Sequence, residues 1–231
     1  MNRLVLALAL SLALGPASAD LDLSVLSRAA APASGSAPRG GPPELAAATA
    51  GDADAQFRLA TRYDAGAGVR QDRAEAARWY RRAAEQGHPD AQVNLGLMYS
   101  EGDGVPLDEA EAARWFRRAA DAGSPLGLYS LGLLYYQGRG VSRDLPRARD
   151  LYERAARLGH PNAMNNLGIM YGLGEGVPKD DARAYIWFAL ATDFGDTNAE
   201  RNRDLTAEAL SPQQLAAARD QVEQIRATIT R

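Results

Sequence analysis

The two histidines are the first residues to test for chemistry, because an imidazole can transfer a proton or bind a metal near neutral pH. His88 and His160 are the only histidines in the chain and stand 72 residues apart. That spacing is twice the period of an internal repeat, so two stacked units of helices, packed ~8–10 Å apart, separate them. They are then too far apart to share a metal or a proton. We predict that each histidine is a structural residue of a turn.

Four Gly-x-Gly-Val loops are the next candidates, because glycine-rich loops bind phosphate in many enzymes. No strand is predicted before them, and the chain lacks the G-x-x-x-x-G-K-[ST] motif. Asp103 and Gly104 do not belong to a calcium loop, since the alternating oxygen ligands of an EF-hand are missing. Glu111 and Arg114 have the spacing of a solvated ion pair along a helix. The sequence thus predicts no catalytic residue, no cofactor and no metal site.

These loops belong to a repeat with a period of 36 residues. Seven residues that recur 36 positions later define it: Leu95, Gly96, Tyr99, Gly102, Gly104, Val105 and Asp108 return as Leu131, Gly132, Tyr135, Gly138, Gly140, Val141 and Asp144. The same frame extends one copy back and one copy forward without an insertion or deletion. Four equal tandem copies are typical of a stacked array, in which each unit buries its apolar face against its neighbours.

Each copy is predicted to contain two helices. Asp108 stands where the N-cap of a second helix is expected, and Glu111, three residues later, would complete a capping box. Gly96 lies within a first helix, where a small residue lets the partner helix approach closely. We expect the tryptophans of the second helices to fill the rest of that seam: Trp79, Trp115 and Trp187.

The recurring residues resemble a known family. The pattern A-x-x-x-L-G-x-x-Y-x-x-G-x-G-V-x-x-D-x-x-x-A-x-x-W-[FY]-x-x-A-A-x-x-G is similar to the Sel-one-like repeat (SLR), a relative of the tetratricopeptide repeat, over residues 55–198. The resemblance implies an all-α fold, a right-handed α-solenoid of four 36-residue helix-turn-helix repeats with N- and C-terminal capping helices. Such arrays mostly act as adaptors, so function must be argued from the surface.

The start of the chain is predicted to be a secretory signal peptide. Arg3 supplies a positive charge, residues 4–14 form an apolar run too short to span a bilayer, and Ala17-Ser18-Ala19 is a small-residue cleavage site. Cleavage after Ala19 would give an exported protein, and we expect a periplasmic location in a bacterium. No later apolar run is long enough to cross a membrane.

The remaining boundaries follow from composition and from the repeat frame. Residues 20–43 are mostly small residues and proline, which predicts a disordered linker. Its apolar start, from Leu21 to Leu26, is expected either to dock or to remain mobile. The other predicted segments are an N-terminal capping helix at 44–54, four repeats at 55–90, 91–126, 127–162 and 163–198, and C-terminal capping helices at 199–231.

The charge balance limits the partners. The chain has 26 Lys and Arg against 29 Asp and Glu, a formal net charge of −3, and no cysteine. A mildly acidic chain offers no general attraction to nucleic acid or to anionic lipid. We expect a monomer, and its partner to be another envelope protein or a peptide segment.

The candidate binding residues come from the resemblance to tetratricopeptide arrays, in which first helices line a concave groove. Positions that vary among the copies of the first helix would meet a partner, because asparagine can bind a peptide backbone and tyrosine offers a large area with a polar tip. The candidates are Phe57, Arg58, Asn94, Tyr129, Tyr136, Asn165 and Asn166. Phe57 and Tyr129 have a second interpretation, as core residues.

The function predicted from the sequence is a periplasmic protein-interaction module that is not an enzyme. The alternative is a cell-wall enzyme that binds or hydrolyses peptidoglycan or a β-lactam, since some relatives of the family have been linked to such ligands. Those relatives resemble disulfide-stapled chains, whereas this chain has no cysteine. No nucleophile and base stand together in the sequence to favour this alternative.

Overall fold

A computed structural model describes residues 42–229, which form eleven α-helices and no strand. In chain order the helices are α1 (Leu45–Thr49), α2 (Ala53–Ala65), α3 (Arg73–Glu85), α4 (Pro89–Glu101), α5 (Glu109–Asp121), α6 (Pro125–Gln137), α7 (Leu145–Arg157), α8 (Pro161–Leu173), α9 (Asp181–Asp193), α10 (Ala199–Ala209) and α11 (Pro212–Ile229). The prediction of an all-α fold built from helix-turn-helix repeats is confirmed. The predicted signal peptide, and the predicted linker except for residues 42 and 43, lie outside the described residues.

The described helices belong to two compact units. Residues 42–127 and 138–142 form one, here called the N-terminal unit, and residues 128–137 and 143–229 form the C-terminal unit. Helices α2, α4, α6 and α8 are the first helices of the four repeats, and α3, α5, α7 and α9 are the second helices. All eight have thirteen residues.

The second helices all begin with the same aspartate cap. Asp72, Asp108, Asp144 and Asp180 each accept, through Oδ1, a hydrogen bond of 2.9–3.0 Å from the backbone N–H three residues later. The backbone N–H of each aspartate donates at 2.9 Å to the carbonyl of a tyrosine in the preceding first helix: Tyr63, Tyr99, Tyr135 and Tyr171. The cap therefore fixes both the start of one helix and its distance from the other.

The second half of the predicted capping box is wrong. Glu111 does not reach back to the cap, because the N–H of Asp108 is already bonded to the Tyr99 carbonyl. The Glu111 carboxylate instead accepts a hydrogen bond from Arg114 at 2.8 Å. Glu75 and Arg78 form the same pair in the first repeat, also at 2.8 Å.

The glycine inside the first helix lies against an aromatic ring, but the ring is not that of the tryptophan. A Cβ placed on Gly96 would lie 2.7 Å from Phe116, and one on Gly132 would lie 2.8 Å from Tyr152. The ring beside the glycine belongs to the residue that follows the tryptophan along the second helix, and the expectation that tryptophan fills the rest of the seam stays a prediction. Trp115 is nonetheless buried, with the Arg118 guanidinium 4.9 Å from its ring centroid.

The second glycine of each Gly-x-Gly-Val loop touches the preceding repeat. A Cβ on Gly104 would lie 2.4 Å from the carbonyl oxygen of Arg73, and one on Gly140 would lie 2.1 Å from that of Glu109. Gly68 has no second helix before it, and its Cβ would meet only an Arg62 nitrogen at 3.6 Å. This glycine is therefore a point of close backbone approach between consecutive repeats as well as a turn residue.

Charged residues mark the end of the array, as predicted. Arg203 and Asp204 replace the leucine and glycine of the repeat and pair with each other at 2.8 Å. The predicted capping box of α11 is confirmed, because Ser211 and Gln214 exchange two hydrogen bonds of 3.0 and 3.2 Å. Within residues 42–229 none of the helices combines the length and apolar character that a bilayer crossing requires.

Candidate functional site

The two histidines are N-caps of first helices. Nδ1 of His88 accepts a hydrogen bond from the Ala91 N–H at 3.3 Å, and Nδ1 of His160 accepts one from the Ala163 N–H at the same distance. A ring nitrogen that accepts from a backbone donor must be unprotonated, so the cap requires neutral histidine. The prediction of structural turn residues is confirmed.

Other residues cap the first helices of the remaining repeats. Asp52 accepts from the Ala55 N–H at 2.6 Å, and Ser124 accepts from the Gly127 N–H at 3.2 Å. Histidine forms the same cap as aspartate or serine, and in addition it brings an aromatic ring to this position. In the part of the chain that the structure describes, no three His, Cys, Asp or Glu side chains are grouped so as to hold a metal ion.

Each histidine ring stacks on an aromatic residue of the first helix before it. The centroids of Phe57 and His88 are 4.5 Å apart, and those of Tyr129 and His160 are 4.6 Å apart, with the planes 19° from parallel in both pairs. Burial lowers the pKa of His160 to about 4. The His160 ring is therefore neutral at physiological pH, as its cap requires.

Phe57 and Tyr129 also contact a tyrosine of the second helix. The Phe57 ring lies 5.7 Å from that of Tyr80 and is half-buried, whereas the Tyr129 ring lies 5.9 Å from that of Tyr152 and is only 7% exposed. Phe57 therefore keeps surface that a partner could contact. Tyr129 has little such surface, and its contacts with Tyr152 and His160 favour a role in packing.

Asn94 and Arg58 lie on the first helices of the N-terminal unit. Arg58 is exposed, and Asn94 is half-buried with its side chain near the Tyr80 hydroxyl. The same hydroxyl lies 3.3 Å from the Thr61 hydroxyl. Burial raises the pKa of Tyr80 to about 12, so this hydroxyl stays protonated at physiological pH.

Three asparagines share one face of α8 in the C-terminal unit, and we call Asn162, Asn165 and Asn166 the asparagine cluster. Burial raises the pKa of Tyr129, and the nearby side chains of Asn162 and Asn166 offset part of that effect. Oδ1 of Asn165 is buried and has no hydrogen-bond partner among the described residues, although the side chain as a whole is half-exposed. Asn162 was not among the sequence candidates, but its spacing of three and four residues from the other two was the available signal.

Tyr136 lies two helical turns beyond Tyr129 on α6 and has its own partners. Its hydroxyl donates to the carboxylate of Glu175, and its backbone carbonyl accepts from Nε of Arg143 at 3.0 Å. Burial and the neighbouring Glu175 raise the pKa of Tyr136. Because its hydroxyl is already used in this contact, Tyr136 does not join the asparagine cluster.

The structure thus groups the sequence candidates within each unit. Phe57 and Asn94 both contact Tyr80 in the N-terminal unit, while Tyr129 and Asn166 lie together in the C-terminal unit. Repeats one and three, each taken with the first helix of the next repeat, share an aromatic residue, a tyrosine, a histidine and an asparagine at matching positions: Phe57, Tyr80, His88 and Asn94, and Tyr129, Tyr152, His160 and Asn166. The role of all seven candidates in binding stays a prediction.

Comparisons with known proteins agree with the repeat frame. The family model described as Sel1 repeat matches residues 53–88, 89–124, 125–160 and 161–196. The chain is similar to the crystal structure of a Sel1 repeat protein from Oxalobacter formigenes, with 33% identity and a TM-score of 0.68 over 79% of this chain and 74% of that one. No curated protein matches the chain.

A second solved structure covers nearly all of the sequence. The chain is 34% identical to c5321, a protective antigen present in uropathogenic Escherichia coli strains that displays an SLR fold, with a TM-score of 0.73. The match covers 97% of this chain and 49% of that one, so this chain spans about half the length of c5321. A Sel1 repeat protein from Klebsiella pneumoniae is 24% identical with a TM-score of 0.51, which supports the fold alone.

Proposed function

Because the chain belongs to the Sel1 repeat family, we propose that it binds a peptide or protein partner on the side of its first helices. Sel1 repeat proteins generally act as protein–protein interaction modules. The proposal for this chain is more specific, since it assigns the binding surface to α2 and α4 in the N-terminal unit and to α6 and α8 in the C-terminal unit.

The observation that carries the proposal is the position of two asparagines. Asn94 and Asn166 are both half-buried, and each stands beside a tyrosine whose pKa is raised by burial, Tyr80 and Tyr129. A half-buried carboxamide presents a donor and an acceptor to a partner, and its packing leaves it less side-chain entropy to lose on binding.

The proposed partner is another protein of the cell envelope, and the proposed location is the periplasm. The support is the secretory pattern of residues 1–19, which lie outside the described residues. An interaction module in that compartment needs no cofactor, and we propose none. Cell fractionation followed by N-terminal sequencing of the recovered protein would test the location and the cleavage after Ala19.

Partner capture tests the binding surface. The double variant Asn94→Ala, Asn166→Ala removes both half-buried carboxamides, and we expect it to recover at least about tenfold less partner from an envelope extract than the wild type does. Asn198→Ala is the matched control, because the Asn198 side chain is exposed and makes no cap hydrogen bond. Equal recovery by wild type and double variant, with unchanged thermal unfolding, would remove the assignment.

A further inference from the structure

We propose that the residue between the two glycines of each Gly-x-Gly-Val loop selects the repeat that packs before it, and so favours the native order of the repeats over any other. We call it the central loop residue, and in the four repeats it is Ala67, Asp103, Arg139 and Glu175. It is negative, positive and again negative in repeats two, three and four, whereas the flanking glycines stay the same. The inference concerns contacts between repeats and goes beyond the surface assigned to a partner.

The contact between repeats one and two pairs an acidic loop with a basic helix. Asp103 forms a salt bridge with Arg73, the first residue of α3. Nε of Arg73 also lies 3.8 Å from the carboxylate of Asp64, near the end of α2. The side chains of Arg73 and Asp103 are 46% and 31% exposed, so water screens their attraction only in part. The loop of repeat two therefore meets a cation on repeat one.

The contact between repeats two and three has the opposite polarity. Nε of Arg139 donates to the Glu109 carboxylate at 2.7 Å, and Glu109 begins α5 as Arg73 begins α3. A second guanidinium nitrogen of Arg139 donates to the Ser100 carbonyl, near the end of α4, at 3.2 Å. Arg139, Glu109 and Ser100 all belong to the N-terminal unit. Here the loop carries the cation and the preceding helix carries the acid, the reverse of the first contact.

The contact between repeats three and four, within the C-terminal unit, uses a third kind of chemistry. The Glu175 carboxylate accepts a hydrogen bond from the Tyr136 hydroxyl, near the end of α6. Leu145 is the first residue of α7, where α3 has Arg73 and α5 has Glu109. The start of α7 therefore offers no charge, and a phenol replaces the opposite charge as the hydrogen-bonding partner of the loop.

The close approach of the backbones holds the central loop residue at this place. A Cβ on Gly104 would lie 2.4 Å from the carbonyl oxygen of Arg73, and one on Gly140 would lie 2.1 Å from that of Glu109. The residue before each of these glycines therefore stays beside the first turn of the preceding second helix. It cannot move away from a like charge unless the loop itself moves.

A wrong neighbour would bring like charges together. If the loop of repeat three packed on repeat one, Arg139 would meet Arg73. If the loop of repeat two packed on repeat two of another copy, Asp103 would meet Glu109. The glycines and the aspartate caps are the same in every repeat and cannot distinguish such neighbours, whereas the central loop residue can. Misassembly of this kind is a characteristic failure of repeat proteins.

The test swaps two central loop residues in the full chain. The swapped variant, Asp103→Arg with Arg139→Asp, keeps the composition and the net charge of the wild type. It sets an arginine beside Arg73 and an aspartate beside Glu109. We expect native-state hydrogen exchange in the first turns of α3 and α5 to become at least about fivefold faster at low salt. The complementary variant adds Arg73→Glu and Glu109→Arg, and it should return these rates to within about twofold of wild type.

Salt and a matched control separate charge from shape. At about 1 M NaCl the difference between the swapped variant and the wild type should shrink at least about twofold, because salt screens charges that are partly exposed. Ala67→Asp and Ala67→Arg are the controls, since a Cβ on the adjacent Gly68 would meet only an Arg62 nitrogen, at 3.6 Å, and no second helix. Both controls should exchange within about twofold of wild type. Circular dichroism measures whether each variant is folded.

Unchanged hydrogen exchange in the swapped variant would overturn the proposal, because the charges would then select nothing. A loss that the complementary variant does not restore, or that salt does not reduce, would overturn it as well, since side-chain shape would then be the cause. If the swapped variant does not fold, the complementary variant decides: wild-type exchange supports the proposal, and a second failure to fold contradicts it. None of the substituted residues is a candidate for partner binding, so these outcomes leave the proposed function to its own test.

Discussion

Gly104→Ala should destabilise the chain much more than Gly68→Ala, although the two glycines occupy the same place in the same loop. Their backbones are nearly identical, with φ of +69° and +73°. Both substitutions therefore bear the cost of placing alanine in the left-handed region, ~1–2 kcal/mol. What differs is the neighbour that the new methyl group meets.

At Gly104 the new Cβ would lie 2.4 Å from the carbonyl oxygen and 2.5 Å from the carbonyl carbon of Arg73. Both are backbone atoms at the start of α3, so they cannot turn aside as a side chain would. Forcing extra atoms into such a contact costs ~1–3 kcal/mol. At Gly68 the Cβ would be 3.6 Å from a nitrogen of the flexible Arg62 side chain, which is an ordinary contact. We expect a total loss of ~2–5 kcal/mol for Gly104→Ala and ~1–2 kcal/mol for Gly68→Ala.

Urea unfolding followed by circular dichroism measures both losses. Because repeat arrays can unfold in steps, native-state hydrogen exchange should accompany it and locate the weakened region. We expect faster exchange at the start of α3 and in the loop around Gly104 in the first variant, and little change there in the second. Equal losses of stability in the two variants would refute the idea that this glycine serves close approach between repeats.

Three further predictions concern the cap, the seam and the reaction class. The folded-state pKa of His160, about 4, lies below the ordinary value of 6.5, so its neutral cap stabilises fully above pH ~6.5 and the contribution is lost as pH falls towards 4. His160→Ser copies the cap that Ser124 forms on α6. This variant should reduce the change in unfolding free energy between pH 7 and pH 4 by up to ~3 kcal/mol, measured by urea titration at each pH. An unchanged pH profile would contradict this prediction. Gly132→Ala should lower the unfolding free energy by ~1–3 kcal/mol, because its Cβ would lie 2.8 Å from Tyr152; Tyr152→Ala in the same background should relieve the overlap in a double-mutant cycle. Peptidoglycan fragments incubated with the purified chain should stay intact by mass spectrometry, and turnover would favour the cell-wall enzyme.

The aromatic–histidine stack that closes repeats one and three is the same in the two units, but the residues around it are not. The aromatic–histidine stacks are the same to within 0.1 Å in centroid distance, at 4.5 and 4.6 Å. The residues around them differ, since the exposed Asp90 and the buried Val93 stand where α8 has Asn162 and Asn165. Residues that build the stack can thus stay constant while their neighbours change.

Most of the fold was readable from the sequence because its signals are local. An aspartate cap, a glycine in the left-handed region at the end of a first helix, and the serine–glutamine box at Ser211 and Gln214 each depend on residues within one turn. Their repetition every 36 residues fixed the number and length of the helices. The histidines, too, were predictable as turn residues from their place between two helices.

Which side chains of the helices contact one another could be learned only from the tertiary structure. Whether Trp115 or Phe116 meets Gly96 depends on a rotation of about 100° around the helix axis, which only the packing angle between helices sets. The contact of Gly104 with Arg73, and the grouping of Asn162 with Tyr129, join residues more than thirty positions apart in the chain. Interactions between near neighbours in the sequence do not determine these long-range contacts, because the contacts depend on how one repeat packs on the next.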